Sequence, residues 1–289
     1  MKKSLLPLFI AVATFGGWLF AQAADAPKPL RVLLVAGGCC HDYATQTKLL
    51  KEGIEARIHA EVDIEFNPDK TTKATFPKYA SADWAKGYDV VIHDECSADI
   101  TDPEYVKRIL DAHRSGIPAV NLHCAMHCYR WGNFREAVKL GDDNAGWYEM
   151  IGLQSTGHGP QAPISISFKG NSHSITKGMA DWQTINEELY NNIQIFDSAK
   201  PLATGVQIQM PKPKKGEPAD PNAKGKEVTS VVAWTNLYGP NNTRIFSTTI
   251  GHNNETVGDA RYLDLVTRGI LWATVHLKDD GTPAGGYGK

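Results

Sequence analysis

The common catalytic signatures are missing from the 289 residues. There is no G-x-S-x-G stretch, so a Ser-His-Asp hydrolase would have no nucleophile elbow. There is no H-E-x-x-H or C-x-x-C either, so any metal must be held by residues converging from separate loops. The glycine loop at Gly37-Gly38 falls short of G-x-G-x-x-G, which removes support for a dinucleotide site. A basic excess is also lacking, with 30 Lys and Arg against 32 Asp and Glu, so nothing electrostatic favours nucleic acid. No internal repeat is evident. Beyond the first twenty residues no apolar run is long enough to span a membrane.

The first stretch that is present is a leader. Lys2 and Lys3 precede an apolar core from Leu5 to Phe20, and Ala21-Gln22-Ala23 is an A-x-A site. This pattern predicts a signal peptide over residues 1–23 and a periplasmic or secreted protein. An uncleaved anchor fits less well, because Gly16-Gly17 interrupts the core and the cleavage site follows at once. Removing the leader leaves 28 basic against 32 acidic residues, a formal charge of -4. Residues 24–29 read as a linker and 30–277 as one domain. The Pro- and Lys-rich residues 210–227 read as an exposed insertion, and 278–289 as a flexible tail.

The first hundred mature residues alternate strand and helix. Apolar runs at 30–36, 88–93 and 117–122 read as buried strands, with helices predicted over 45–60 and from Asp102-Pro103 to Gly116. The pattern implies an α/β fold, a mostly parallel sheet with helices on both faces. The second half is richer in strands and closes with a helix over 261–276.

The densest chemistry lies at Leu122-His123-Cys124-Ala125-Met126-His127-Cys128, after a predicted strand. A helix starting there would place His123 with His127, and Cys124 with Cys128, on shared faces. The carboxyl ends of parallel strands are also where ligands bind in such sheets. All five cysteines, Cys39, Cys40, Cys96, Cys124 and Cys128, follow predicted strands, so they should gather at one sheet edge. One or two disulfides across that edge are expected in an exported protein, with at least one thiol left over.

Five segments together resemble the trehalose-utilisation (ThuA-like) family of the class I glutamine-amidotransferase-like superfamily. They are Gly37 to Asp42, Ala119 to Ala125, Ile151-Gly152 to His158, Ser172 to Met179 running on to Glu187-Glu188-Leu189-Tyr190, and Val232 to Thr235 with Thr249 to His252. The resemblance implies a Rossmann-like, flavodoxin-type sheet with its active-site corner at His123. In true amidotransferases that corner carries a cysteine nucleophile. Here histidine stands there and no glutaminase Cys-His-Glu set can be read, so amidotransfer is not expected. The family's association with disaccharides and their oxidised keto forms implies a sugar ligand. The extra thiols depart from the family pattern and resemble an exported subgroup.

These readings give His123, His41 and Glu188 as candidate catalytic residues, with Asp42 orienting His41. Histidine moves protons near neutral pH, and a carboxylate beside it tunes that exchange. Asp42, His158, Tyr190, His252 and Trp131 are candidate substrate contacts. A divalent metal such as zinc, if bound, would draw on His41, His123, His127, His158 and His252 with Glu188. The expected activity is proton-transfer chemistry (hydrolysis, elimination or isomerisation) on a glycoside or keto-sugar. The alternative is a non-catalytic sugar-binding protein with Trp131, Trp147 or Tyr238 as stacking surfaces.

Overall fold

The computed structural model describes residues 27–168, 170, 172–211, 220 and 222–289. The expected signal peptide and half of the 210–227 insertion (212–219 and 221) therefore lie outside the described residues. Nine strands form one sheet in the order β2-β1-β3-β4-β9-β8-β7-β5-β6. They are β1 (Leu30–Gly38), β2 (Ala60–Asn67), β3 (Val90–Cys96), β4 (Ala119–Leu122), β5 (Leu153–Phe168), β6 (Trp182–Ile195), β7 (Lys200–Gln209), β8 (Lys226–Tyr238) and β9 (Thr243–Thr248). Four neighbouring pairs, from β2 to β9, are parallel, and the other four, from β9 to β6, are antiparallel. The sheet is thus mixed rather than mostly parallel. Beyond β9 the pairs β8–β9, β7–β8 and β5–β6 join consecutive strands, which need no crossover helix, and β7 pairs antiparallel with β5.

The parallel half is built as the alternation predicts. Helix α1 (Tyr43–Arg57) starts at Asp42, whose carboxylate accepts the Thr45 N–H. Helix α2 (Pro103–Arg114) starts at Asp102 in the same way, with Pro103 in its first turn. Helices α3 (Gly146–Ile151), α4 (Asn254–Val257) and α5 (Ala260–Ala273) complete the set. One core lies where Leu50 and Ile54 of α1 meet Leu263 and Val266 of α5 over the sheet. The other lies under Val106, Ile109 and Leu110 of α2 and Met150 of α3. Burying such a side chain is worth about 1.5–3 kcal/mol, so these two faces dominate the fold's stability. Gly53, a weak helix former, sits where α1 crosses α5. A Cβ there would stand 2.6–2.7 Å from the Leu263 methyls, so its lack of a side chain permits the close crossing.

Two expectations need correction here. Residues 278–289 do not fray: His59 N–H donates to the Tyr287 carbonyl, Lys289 N–H donates to Arg57, and Gly288 bridges Ile58. The Tyr287 ring also stacks on His276 at 3.8 Å. The predicted helix at His123 is a single 3₁₀ turn, His123–His127. Its first residue lies in the left-handed region at φ 38°, so the i, i+4 faces never form.

Candidate active site

The flavodoxin-like order β2-β1-β3-β4 places its reversal point between β1 and β3, where ligands bind beyond the strand ends. The loop after β1 brings Cys39, Cys40 and His41 to that point, the turn after β4 brings His123 and Cys124, and the loop after β9 brings His252. From the other half, β6 supplies Glu188 and Tyr190, and β5 supplies His158. A cavity of about 260 Å³ opens here, lined by His41, Cys124, His127, His158, Glu188, Tyr190 and His252 among others.

Glu188 is the hub. Its carboxylate lies 3.3 Å from His252 Nδ1, 3.6 Å from His123 Nε2 and 3.5 Å from His158 Nδ1. Burial opposes ionisation of Glu188, but the approach of His123 and His252 outweighs it and holds the carboxyl below the usual range. Reciprocally, Glu188 raises the His252 imidazole above its ordinary value against the effect of burial. His123 is the deepest member, 1 % exposed. Its Nδ1–H donates to the Thr249 carbonyl at 2.6 Å, which leaves Nε2 as the lone-pair nitrogen. That nitrogen and His252 Nδ1 are both buried without a hydrogen-bond partner, and both face the same carboxylate oxygen. A lone pair facing a carboxylate is repulsive, so the trio calls for a shared proton or a cation.

His41 packs edge-on against His123 and His252, with ring centroids 4.9 and 4.5 Å away. Its Nδ1–H donates to the His252 carbonyl at 3.2 Å, and its Nε2 accepts from Cys124 Sγ at 2.9 Å. Burial, with His123 and His252 adding to it, pushes His41 down to about 3, so it stays neutral near pH 7. His127 stacks flat on Tyr190, 4.3 Å between centroids, and its Nε2 bonds the Ser155 hydroxyl at 2.9 Å. Burial drives its imidazole well below the ordinary value.

The remaining candidates separate. Asp42 spends one carboxylate oxygen on the α1 cap and the other on Asn254 Nδ2, so it fixes the loop that carries His41. Trp131 lies apart from the histidines, in a second cavity beside α2 with Glu104, Lys107 and Asp142. Trp147 and Tyr238 are 1 % and 4 % exposed, which corrects their expected role as stacking surfaces: both rings pack in the α2-side core. The thiols do gather at one edge, but the expected disulfides across it are not found. Cys39 is bonded to its neighbour Cys40, while Cys96, Cys124 and Cys128 are free and buried.

Sequence reasoning missed Glu187. It is fully buried, and its two oxygens accept the His252 and Asn253 backbone N–H groups at 3.0 and 3.1 Å. Side chains alternate along a strand, which predicts that one of two neighbouring acids faces away from the pocket but not that it clamps the other side of the site. Gln161 was also missed. It meets His252 Nε2 at 2.7 Å.

A family model described as trehalose utilisation, ThuA, matches residues 31–273. Among solved structures, a ThuA-like protein from Parabacteroides merdae aligns with a TM-score of 0.58 at 18 % identity, covering 91 % of this chain and 97 % of that one. A ThuA-like protein from Bacteroides uniformis aligns with a TM-score of 0.57 at 14 % identity, covering 87 % and 94 %. Comparison with curated proteins returns no significant match. The fold, the His123 corner and the match across nearly the whole domain agree: the chain belongs to the ThuA trehalose-utilisation family.

Proposed function

We propose that this protein is an exported enzyme that moves protons on a small carbohydrate, a glycoside or a keto-sugar. The observation that carries the reading is Glu188, held against three imidazoles in a buried cavity whose mouth is open to solvent. Glu188 keeps His252 protonated to higher pH, which suits His252 to donate a proton to a leaving or carbonyl oxygen. His123 Nε2 presents the lone pair needed to accept one. A carbonyl acidifies its neighbouring C–H, so a keto-sugar gives such an acceptor a proton within its power to remove. His41 is neutral and positions His252 and Cys124 rather than titrating. His158 and Tyr190, at the wall, are the substrate contacts. Family membership supports a sugar as the ligand, and the leader over residues 1–23 supports export.

The orphaned nitrogens favour a second form of the same site. His123 Nε2, His252 Nδ1 and a Glu188 oxygen lie within 4.8 Å of one another, the donor set of a two-histidine, one-carboxylate metal site. A divalent ion such as zinc held by these three would polarise a bound oxygen. With the Gln161 amide oxygen turned toward it, His252 would donate from Nε2 and free Nδ1 for the ion.

The test is a panel of glycosides and keto-glycosides with wild type, His123→Ala and Glu188→Gln, run with and without chelator. Loss of turnover in both variants with binding retained supports the enzyme. Binding without turnover by wild type under every condition would establish a sugar-binding protein instead. Elemental analysis decides the metal: about one ion per chain in wild type and none in Glu188→Ala is the expected result. A metal-free protein that turns over in chelator removes the metal form.

A further inference from the structure

The thiols at the cavity rim have no part in the chemistry above. Cys39 and Cys40 are bonded to each other, and Cys40 is solvent-exposed with its backbone in the left-handed region at φ 84°. The free thiol of Cys96 lies 3.3 Å from Cys39 Sγ. The approach is built into the backbone: Gly38 pairs with Cys96 across β1 and β3, and any Cβ at Gly38 would collide with the Cys96 carbonyl. The neighbouring Cys124 thiol holds the Cys96 thiol below its ordinary range; burial opposes this and the Arg130 guanidinium assists it. All three sulfurs lie within 4.8 Å of one another, and Cys39, Cys40 and Cys96 all border the cavity.

We propose that Cys39, Cys40 and Cys96 form a thiol–disulfide exchange site that trades electrons with small thiols entering the cavity. In the internal step the Cys96 thiolate attacks Cys39 Sγ. The Cys39–Cys96 bond forms as the Cys39–Cys40 bond breaks, and its electron pair leaves on Cys40 Sγ. The proton lost by Cys96 is balanced by one taken up from solvent at Cys40, so the step is redox-neutral. It converts an exposed disulfide into a buried one and presents a single free thiol, Cys40, at the surface. An external dithiol then reduces the buried bond through a mixed disulfide and leaves as its own disulfide, having supplied two electrons. Because Cys40 immediately precedes His41, exchange also releases one restraint on the loop that carries His41.

The test uses the full mature chain. Cys40→Ser, reduced and then exposed to oxidised glutathione, should yield a Cys39–Cys96 cross-linked peptide in non-reducing mass mapping, with Cys124 and Cys128 unlinked. Recovery of Cys39 as a glutathione mixed disulfide or a free thiol overturns the proposal. In wild type, alkylation at limiting reductant should label Cys40 ahead of Cys39. Cys96→Ser should slow that labelling at least tenfold. Equal labelling of Cys39 and Cys40, or an unchanged rate in Cys96→Ser, also overturns it. The wild-type measurement stands whether or not either variant folds.

Discussion

Glu187 and Glu188 are neighbours with opposite duties, and exchanging each for glutamine should separate them. Both Glu187 oxygens accept backbone N–H bonds, at 3.0 and 3.1 Å, in a fully buried setting. A hydrogen bond to a charged group contributes about 1.5–3 kcal/mol. Glutamine keeps one acceptor but turns an NH2 toward the second N–H, so one bond is lost and two donors face each other. The expected cost of Glu187→Gln is about 2–4 kcal/mol. For a domain of this size each kcal/mol lowers Tm by roughly 2–4 °C, giving a fall of about 4–16 °C in thermal denaturation monitored by circular dichroism. Amide exchange at His252 and Asn253 should accelerate as well. Glu188→Gln removes no backbone partner. Its cost in Tm should be smaller, while its effect on turnover should be the larger of the two. The reasoning is refuted if Glu187→Gln leaves Tm within 1 °C of wild type, or if 252–253 exchange is unchanged.

Acid stability should depend on His113. It is fully buried, donates from Nδ1 to the Ile117 carbonyl at 2.7 Å and meets His93 Nε2 at 2.9 Å. Burial, with His93 adding to it, pushes it down to about 3. The unfolded chain takes up a proton near pH 6.5 that the fold refuses. The contribution is thus complete above that value and is lost, at up to about 1.4 kcal/mol per pH unit, as pH falls toward 3. His113→Asn should be less stable at pH 7 but should flatten the pH 6 to 4 limb in denaturant titrations; an unchanged slope counts against this. Gly53→Ala should destabilise by about 1–2 kcal/mol through crowding of Leu263, despite the better helix propensity of alanine. In a Leu263→Ala background the same change should become neutral or favourable, and a double-mutant cycle with no coupling would reject the packing account.

How much of this was legible in the sequence follows from the range of the interactions. The α2 start and the strand and helix alternation are local and are legible in Asp102-Pro103 and the apolar runs, whereas the Asp42 cap, which starts α1 at Tyr43 rather than at the expected Thr45, is not part of that reading. His41, His158, Glu188 and His252 line one cavity and the buried His123 meets Glu188 at 3.6 Å, because the motifs place each at a strand or loop position next to it. What escaped depends on pairing between distant segments. The antiparallel order beyond β9 is set by pairings, β7 with β5 among them, whose partners a single strand pattern does not name. The 3₁₀ turn at His123 answers to the Thr249 carbonyl, 126 residues away, rather than to helix propensity. Trp131, three residues beyond Cys128, lies beside α2 in a second cavity, a placement that sequence proximity to the motif does not give.

Glu188 sits on β6, the strand at one end of the sheet, while His41, His123 and His252 belong to the parallel half at the other side. The carboxylate and these three imidazoles therefore come from two regions separated in the sheet by the strands between β9 and β6, and tied directly by the Glu187 bonds to His252 and Asn253. A folding intermediate holding just the doubly wound half would possess every histidine of the trio and yet lack the charge that organises them. Competence of the site then requires that β6 be docked, and recovery of the proposed activity during refolding would report that docking rather than the formation of the core.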